Sequence, residues 1–292
     1  MTGNKKTILI IGINGFLGSH LSKLLIDEYN VIGLEYSIEN LFRLKDYSFK
    51  VYSSKDELKK IFDENRIYAI IHAATIYRRS VNEPIDILLE TNILMPAKLY
   101  ELANLYNVDI FINSDSFFND SRYKYNYLAD YTLSKRHALD WLKLMCNKCK
   151  LINMKMFHMF GPHDSPTKFF PNIISQLNSN VPNIDVSPGE QKRDFIYIDD
   201  VVSAYKAVLD KRDLLIDPFH EFEVGTGNTI SIRDLILLIK KVTKSKSKIN
   251  FGALSYRTNE IMESRADNQT LCNLGWSPKV TIKDGIEKLI CE

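Results

Sequence analysis

The chain opens on a run of apolar residues, 7–12, in which polar and apolar positions do not alternate. Such a run is typical of a strand that is buried on both faces. The following residues change to helical spacing, with Leu17, Leu21 and Leu25 on one face. Buried-strand patterns recur at 31–35, 68–74, 108–114 and 151–157, and helical patterns lie between them at about 55–65, 83–106 and 129–147. This alternation predicts an α/β fold, a Rossmann-type doubly wound parallel sheet wrapped by helices.

The rhythm changes after residue 160, where short strands, turns and helices interleave. We therefore expect residues 1–160 to form the doubly wound domain and residues 161–292 to form a smaller α+β cap that binds the substrate. Residues 192–225 are expected to thread partly back onto the sheet. The chain has 292 residues, of which 45% are hydrophobic, and this length suits one large domain or two merged ones.

Charge and composition narrow the classes of partner. The 38 basic and 36 acidic residues are spread along the chain without a basic block, so no nucleic-acid partner is expected. No apolar run has the length of a signal peptide core or of a membrane span, and we expect a cytoplasmic protein without a membrane partner. Among the four cysteines, Cys146 and Cys149 form a C-x-x-C pair. A zinc or redox role is one interpretation, but no second pair completes a site, so reduced thiols and no metal are predicted.

Three glycines fall within seven residues where the first strand pattern meets the first helical pattern. There the first glycine permits a tight turn, the second lets the backbone approach a pyrophosphate, and the third lets the helix pack closely. The helix N-terminus offers N–H groups and a partial positive charge to the phosphates. The G-x-x-G-x-x-G spacing predicts a dinucleotide loop, with a purely structural turn as the alternative. The loop residues assigned to the cofactor are Gly12, Asn14, Gly15, Phe16, Leu17 and Gly18.

Glu35 ends the second strand pattern, at the distance from the loop expected of the acidic residue that binds the ribose hydroxyls. A carboxylate at this position would repel a 2′-phosphate, so the sequence favours NAD(H). Arg43 follows closely along the chain, which leaves NADP(H) possible. A solvated glutamate at the end of a strand is the alternative to a cofactor role.

The segment "YTLSK" places Tyr131 and Lys135 four residues apart in a helical pattern, and so on one face. A phenol is a weak acid at neutral pH, because its usual pKa is about 10, and a nearby ammonium group favours the phenolate. The sequence therefore predicts that Lys135 lowers the pKa of Tyr131 into a working range. Ser114 ends the preceding strand pattern, where side chains of parallel strands face the ligand crevice. Ser114, Tyr131 and Lys135 are the predicted catalytic residues, although a surface helix pair would show the same spacing.

Taken together, these motifs resemble those of the extended short-chain dehydrogenase/reductase family, which contains nucleotide-sugar epimerases, dehydratases and ketoreductases. The likeness covers essentially the whole chain and includes "IIHAAT" at 70–75, "FGP" at 160–162, "RDFIYIDDV" at 193–201 and "NLGWSP" at 273–278. Within the family, "GEQKRDFIYIDDVVSAY" and "FGALSYRTNEIM" look like segments of the 4-ketoreductases of the CDP-abequose and CDP-paratose synthase type.

The resemblance implies further site residues. Those implied for the cofactor are His72, Ala73, Ala74, Asn92 and His158, beside Tyr131 and Lys135. Those implied for the substrate are Tyr77, Asp115, Ser116, Lys168, Phe169, Arg193 and Arg257. For many of these side chains an ordinary surface or packing role is the alternative.

Two departures from the family pattern bear on the reaction. The family's 4,6-dehydratases carry Thr-Asp-Glu where this chain has Ser114, Asp115 and Ser116, so the base that removes the C5 proton is missing. Lys155 and Phe160 replace an arginine and a tyrosine of the family. The expected function is NAD(P)H-dependent reduction at C4 of a nucleotide-linked 4-keto-6-deoxy or 3,6-dideoxy hexose, in the biosynthesis of O-antigen and other surface polysaccharides.

The alternatives are a 4-epimerase that retains NAD and, from another class, a non-catalytic NAD(P) sensor. A CDP-linked substrate is favoured, with dTDP-, GDP- and UDP-linked sugars possible. The helical patterns at 83–106 and 129–147 could pair across a two-fold axis, so we expect a homodimer.

Overall fold

The computed structural model describes residues 5–78, 82–123 and 128–291. Seven strands form its central sheet: β1 Thr7–Ile11, β2 Asn30–Glu35, β3 Lys50–Ser53, β4 Ile67–His72, β5 Ile110–Ser116, β6 Lys150–Met156 and β11 Phe219–Val224. Their order is β11-β6-β5-β4-β1-β2-β3, and the pairs β1–β2, β1–β4, β2–β3 and β4–β5 run parallel. The order reverses at β1, and doubly wound sheets bind ligands beside that point. The predicted Rossmann-type fold is confirmed.

The unbroken apolar pattern of the first strand has a structural cause. In β1, Leu9 and Ile11 belong to the core on one face of the sheet, whereas Ile8 and Ile10, which point the other way, are buried as well. A strand covered on both faces cannot alternate polar and apolar residues, because successive side chains point to opposite faces.

The helices packed with this sheet are α1 Phe16–Leu25, α2 Leu58–Glu64, α3 Ile85–Leu89, α4 Met95–Leu105, α5 Ala129–Leu144 and α7 Ile198–Asp210. The single long helix predicted at 83–106 is interrupted by a π-helical turn, Glu90–Leu94. Pro96 gives a physical reason, because it has no N–H to donate to the carbonyl of Asn92 four residues earlier. Such turns are frequent at functional sites, and this one carries Asn92.

The chain divides into two compact units. One contains Met1–Asp120, Leu128–Lys155 and Tyr205–Phe222, and the other contains Ser121–Tyr127, Met156–Ala204 and Glu223–Glu292. The first unit holds most of the central sheet. The assignment of residues 161–292 to a substrate-binding cap stays a prediction.

The second unit is built from short strands and amphipathic helices. Its strands are β7 His158–Phe160, β8 Asn183–Val186, β9 Lys192–Arg193, β10 Phe195–Tyr197, β12 Ile230–Ser231, β13 Lys248–Phe251 and β14 Glu263–Ser264, and its helices α6 Phe169–Asn178, α8 Ile232–Thr243, α9 Gln269–Asn273 and α10 Ile282–Cys291. Ser231 caps α8 by accepting a hydrogen bond from the Asp234 amide at 3.0 Å. The Asp194 carboxylate accepts hydrogen bonds from Thr226, Gly227 and Ala266, and so ties three segments together. Within the described ranges, no helix combines the length and the apolar character of a membrane span.

Candidate active site

Close backbone contacts in the loop between β1 and α1 leave no room for a side chain at its three glycine positions. Gly12 has a φ of +77°, and its carbonyl accepts a hydrogen bond from the Gly15 amide at 2.9 Å. A Cβ on Gly18 would lie only 2.0 Å from the Gly12 carbonyl oxygen, and one on Gly15 would lie 2.9 Å from the same atom. The glycines therefore let α1 begin directly against the end of β1.

The start of α1 has the features of an anion-binding helix terminus. Gly15 provides no side-chain cap, and the first turn contains no acidic residue. The first amides of a helix have no partner within the helix, and they carry the positive end of its dipole. On the neighbouring strand, the Ala73 amide bonds to the Ile11 carbonyl, and the backbone of Ala74 lies so close to Gly12 that a Cβ there would clash. This narrow, uncapped cradle fits the pyrophosphate of a dinucleotide.

Glu35 lies beside this loop. Its carboxylate accepts a hydrogen bond from the Asn14 amide at 2.5 Å, while the Arg43 guanidinium donates to the Asn14 carbonyl at 3.1 Å. Burial raises the pKa of Glu35, although the loop amides and Arg43 oppose this effect. Glu35 and Arg43, the two residues that could select for or against a 2′-phosphate on the ribose, thus both bond to the backbone of Asn14.

Lys135 and Tyr131 both project from α5 into the buried end of β5. Tyr131 is only 4% exposed, and Lys135 only 3%. The Lys135 ammonium group donates to the Ser114 carbonyl at 2.9 Å. Burial lowers the pKa of Lys135 to about 8, against the opposing charge of Asp115. Lys135 is thus in contact with the backbone of Ser114, and the catalytic roles of Ser114, Tyr131 and Lys135 stay predictions.

The prediction that Lys135 lowers the pKa of Tyr131 into a working range is wrong for this structure. Burial raises the pKa of Tyr131 well above its usual value, and Tyr77 and Asp115 raise it further, while the Ser116 hydroxyl opposes them. The i,i+4 spacing placed the two side chains correctly, but the desolvation of a fully buried phenol is the largest effect. Tyr131 is therefore protonated at neutral pH in this state.

One further serine, Ser116, and two further phenols, Tyr77 and Tyr205, lie beside these residues. Ser116 is the serine whose hydroxyl influences Tyr131, whereas the Ser114 hydroxyl lies 2.7 Å from the Tyr205 hydroxyl of α7. The ring of Tyr77 lies 4.4 Å from that of Tyr131, at a tilt of 31°, and Tyr77 is 42% exposed. Tyr77 is therefore placed on the solvent side of the phenol.

Asn92 and His72 support this region from neighbouring elements. The Asn92 side-chain amide donates to the Ile76 carbonyl and to the Ser134 hydroxyl, both at 3.0 Å, and accepts from the Ile76 amide at 3.0 Å. His72, at the end of β4, is completely buried. Burial lowers its pKa to about 3, with a smaller contribution from the charge of Lys135, so the imidazole is neutral.

Asp115 lies within a buried polar network that sequence reasoning missed. Its carboxylate accepts hydrogen bonds from Asn153 at 2.9 Å and from Asn119 at 3.0 Å. Asn153 also donates to Glu221 at 2.8 Å, and Lys155 donates to Glu221 at 2.9 Å. The signal was present in β6, where Asn153 and Lys155 stand two residues apart in an apolar run and so point to one face. The predicted contact of Asp115 with substrate stays a prediction.

The remaining predicted residues lie in the second unit. The His158 imidazole lies 3.1 Å from the Ser264 hydroxyl, and burial lowers its pKa to about 3. Arg193 is buried and donates to the Glu260 carboxylate, whereas Arg257 is exposed. Lys168 forms an ion pair of 3.0 Å with Asp164. The ring of Phe169 meets that of Phe170 edge-on, with centroids 6.0 Å apart. Their roles toward cofactor or substrate stay predictions.

The four cysteines are free thiols, and no group of metal-binding side chains occurs in the ranges that the structure describes. Burial raises the pKa of the Cys149 thiol, and the Cys146 thiol donates to the Pro218 carbonyl at 3.3 Å. The C-x-x-C pair therefore lies in the connection between α5 and β6 and takes part in the packing there.

A parallel sheet whose first loop accepts a dinucleotide, and whose strand β5 meets a buried tyrosine and lysine, defines the class of Rossmann-fold oxidoreductases. Comparison with known proteins gives the family. The profile of the "NAD dependent epimerase/dehydratase family" matches residues 8–225, and the chain belongs to this family.

The chain is 37% identical to a CDP-abequose synthase of Salmonella muenchen, over 98% of this chain and 97% of that protein. It is 34% identical to the CDP-abequose synthase of Salmonella typhimurium, over 99% of both chains. Among solved structures, a UDP-glucose 4-epimerase of Thermotoga maritima has a TM-score of 0.83 at 23% identity, over 97% of both chains. A UDP-glucuronic acid 4-epimerase of Bacillus cereus, in complex with UDP-glucuronic acid and NAD, has the same TM-score, identity and coverage. At this identity, the solved structures establish the fold.

Proposed function

We propose that the protein is a nucleotide-sugar 4-ketoreductase of O-antigen or related surface-polysaccharide biosynthesis. Its substrate would be a 4-keto-6-deoxy or 3,6-dideoxy hexose linked to a nucleoside diphosphate, preferably CDP. The observation that carries the proposal is the buried cluster of Ser114, Tyr131 and Lys135 at the end of β5. Identities of 37% and 34% to two CDP-abequose synthases support the substrate class.

The cluster accounts for proton transfer at the reacting oxygen. Bound NAD(P)H would supply the hydride to C4, and Glu35 favours NADH. Tyr131, which burial keeps protonated, would give its proton to the carbonyl oxygen as the C–O double bond becomes a single bond. Lys135, which is buried in the same helix as Tyr131, is proposed to stabilise the phenolate left behind. Ser114 would hold the carbonyl oxygen in line with the phenol.

The raised pKa of Tyr131 suits a reductase, which needs no strong base at this position. A reductase uses Tyr131 first as an acid, so a raised pKa keeps the active form populated. The glutamate of the dehydratases has no counterpart, because Ser116 occupies its position. Removal of the C5 proton is therefore not part of the proposal.

The nucleotide and diphosphate are proposed to contact residues of the second unit. Arg193 would share its guanidinium between Glu260 and the diphosphate, because a fork of N–H donors suits both anions. Arg257, Lys168 and Phe169 are proposed to contact the nucleotide, and Tyr77 and Ser116 the hexose. Asp115, which accepts hydrogen bonds from Asn153 and Asn119, is proposed to take part in binding the substrate. Free thiols agree with a cytoplasmic location, which is also part of the proposal.

A homodimer is proposed on an apolar stripe of the first unit. Leu133, Trp141 and Leu144 lie on one face of α5 and are 49%, 53% and 75% exposed. Leu94 and Leu105 are exposed on the neighbouring helix. Such a stripe suits pairing with a second copy across a two-fold axis. Analytical ultracentrifugation of the wild type should give twice the mass of one chain. The double variant Trp141→Glu, Leu144→Glu should give the mass of one chain. A monomeric wild type would contradict the proposal.

The proposed activity is tested with purified protein and four 4-keto sugars, linked to CDP, dTDP, GDP and UDP. Each is incubated with NADH and with NADPH in parallel. We expect stoichiometric loss of reduced-cofactor absorbance, fastest with the CDP-linked sugar and NADH. No loss with any of the substrates would contradict the proposal.

A 4-epimerase is the second candidate, because the catalytic residues serve both reactions and a putative UDP-glucose 4-epimerase of Methanocaldococcus jannaschii is 26% identical over 97% of this chain. An epimerase would purify with tightly bound NAD and would interconvert C4 epimers without added cofactor. A reductase would require added NAD(P)H for every turnover.

A further inference from the structure

Tyr205 is a buried phenol that the proposed mechanism does not yet use. It lies in α7 and is completely inaccessible to solvent. A phenylalanine would fill nearly the same volume without a polar atom. Burying a hydroxyl group costs free energy unless it is hydrogen-bonded, so the partner of this phenol is informative.

One partner is the hydroxyl group of Ser114, a predicted catalytic residue. The two oxygens are 2.7 Å apart. Burial raises the pKa of Tyr205, and the charge of Asp115 raises it further, so the phenol keeps its proton. A phenol is a better donor than an aliphatic hydroxyl, because its proton is more acidic. The contact allows either oxygen to donate, and on this difference between the two kinds of hydroxyl we assign Tyr205 as the donor and Ser114 as the acceptor.

This direction leaves the proton of Ser114 available. A serine hydroxyl has one proton and two acceptor sites. When it accepts from Tyr205, its own proton points elsewhere. The carbonyl of Ser114 is held independently, because it accepts from the Lys135 ammonium group at 2.9 Å. Backbone and side chain of Ser114 are thus each held by one buried donor.

We propose that Tyr205 is a positioning residue, which donates to the Ser114 hydroxyl and thereby directs the Ser114 proton toward the C4 carbonyl oxygen of the substrate. The inference rests on the proposed function. It adds to that function the residue that determines the orientation of the serine. Tyr205 does not itself contact the reacting atoms.

Tyr100 provides a matched control. It too is completely buried, and its hydroxyl donates to a single oxygen at 2.7 Å, the Cys149 carbonyl. This contact involves the residue that precedes β6, not the proposed catalytic cluster. Tyr100→Phe and Tyr205→Phe thus remove the same atom from comparable surroundings, and both are expected to destabilise the fold to a similar extent.

The test is a double-mutant cycle with Ser114→Ala and Tyr205→Phe. Thermal or denaturant unfolding first measures whether the two substitutions are coupled in stability, which requires no substrate. Steady-state kinetics with the CDP-linked 4-keto sugar then measures kcat and KM. We expect Tyr205→Phe to lower kcat about tenfold with KM little changed, and to have no further effect when Ser114 is already alanine. Tyr100→Phe should leave kcat unchanged.

The outcomes separate the inference from the proposed function. Additive unfolding free energies would show that the hydrogen bond is not formed, and would overturn the inference without reference to activity. An equal loss of kcat in both backgrounds would assign Tyr205 a merely structural role, and so would unchanged kcat in Tyr205→Phe. A wild-type protein that reduces none of the sugars would instead refute the proposed function, together with the catalytic part of the inference.

Discussion

The loop between β1 and α1 and the cluster beneath β5 belong to the same compact unit, but they are made of different groups. In the loop, the groups that would meet a ligand are backbone amides, positioned by three glycines within seven residues. In the cluster they are side chains, and Lys135 reaches the Ser114 carbonyl across 21 positions of the chain. The loop is thus sensitive to added volume, whereas the cluster depends on burial and charge.

The largest effect is expected in the cluster, from removal of the proton donor. Tyr131→Phe should lower kcat by roughly 10²–10⁴, because the carbonyl oxygen then receives no positioned proton. Affinity for NADH, measured by fluorescence titration, should stay close to that of the wild type. Unchanged turnover in the steady-state assay would remove Tyr131 from the mechanism.

The corresponding change in the loop is Gly18→Ala. The new methyl group would lie 2.0 Å from the Gly12 carbonyl oxygen, so α1 must move away from β1. We expect a loss of about 3 kcal/mol in the free energy of unfolding, and a loss of NADH affinity. Gly15→Ala is the matched control, with its methyl group at 2.9 Å and an expected loss of about 1 kcal/mol. Equal losses would show that the loop adapts to volume more readily than we infer.

The pKa of Lys135 gives the cluster a pH dependence above neutral pH. Because burial lowers this pKa from 10.5 to about 8, the unfolded chain binds more protons between these values. The stability contribution of Lys135 must therefore rise with pH across this window. Relative to Lys135→Met, the wild type should gain about 2 kcal/mol in unfolding free energy between pH 7 and pH 10. A difference that stays constant or falls would contradict the buried environment.

The smallest effect is expected at Glu35, where the charge acts at the edge of the loop. Glu35→Gln keeps the shape but removes the charge that would repel a 2′-phosphate. We expect the preference for NADH over NADPH, measured as the ratio of kcat/KM values, to fall about tenfold. An unchanged ratio would indicate that Arg43, which holds the Asn14 carbonyl, dominates the choice of cofactor.

Much of the fold could be predicted because buried parallel strands leave a direct signal. The strand predicted at 7–12 is observed at Thr7–Ile11, and that predicted at 151–157 is observed at Lys150–Met156. Pro96 was visible in the sequence, but a proline allows several kinds of helix interruption, and only the structure shows that this one is a π-helical turn, Glu90–Leu94.

The sequence indicated which residues of β5 and α5 are buried near one another, but it did not indicate their electrostatics. The spacing of Tyr131 and Lys135 indicated a shared helix face, which the structure reproduces. The direction of the Tyr131 pKa depends on how much water the surrounding elements exclude, and no local pattern records that. Likewise, the bond between Ser114 and Tyr205 joins residues 91 positions apart, and only the fold brings them together.

The amide of Asn92 has a mechanical consequence. Its hydrogen bonds to Ile76 and Ser134 connect the segment that follows β4 to the helix that carries Tyr131 and Lys135. The segment and the helix cannot shift relative to each other while these hydrogen bonds are formed. In the proposed reaction, a displacement of the segment after β4 by a bound sugar would therefore be transmitted to α5, which carries Tyr131 and Lys135.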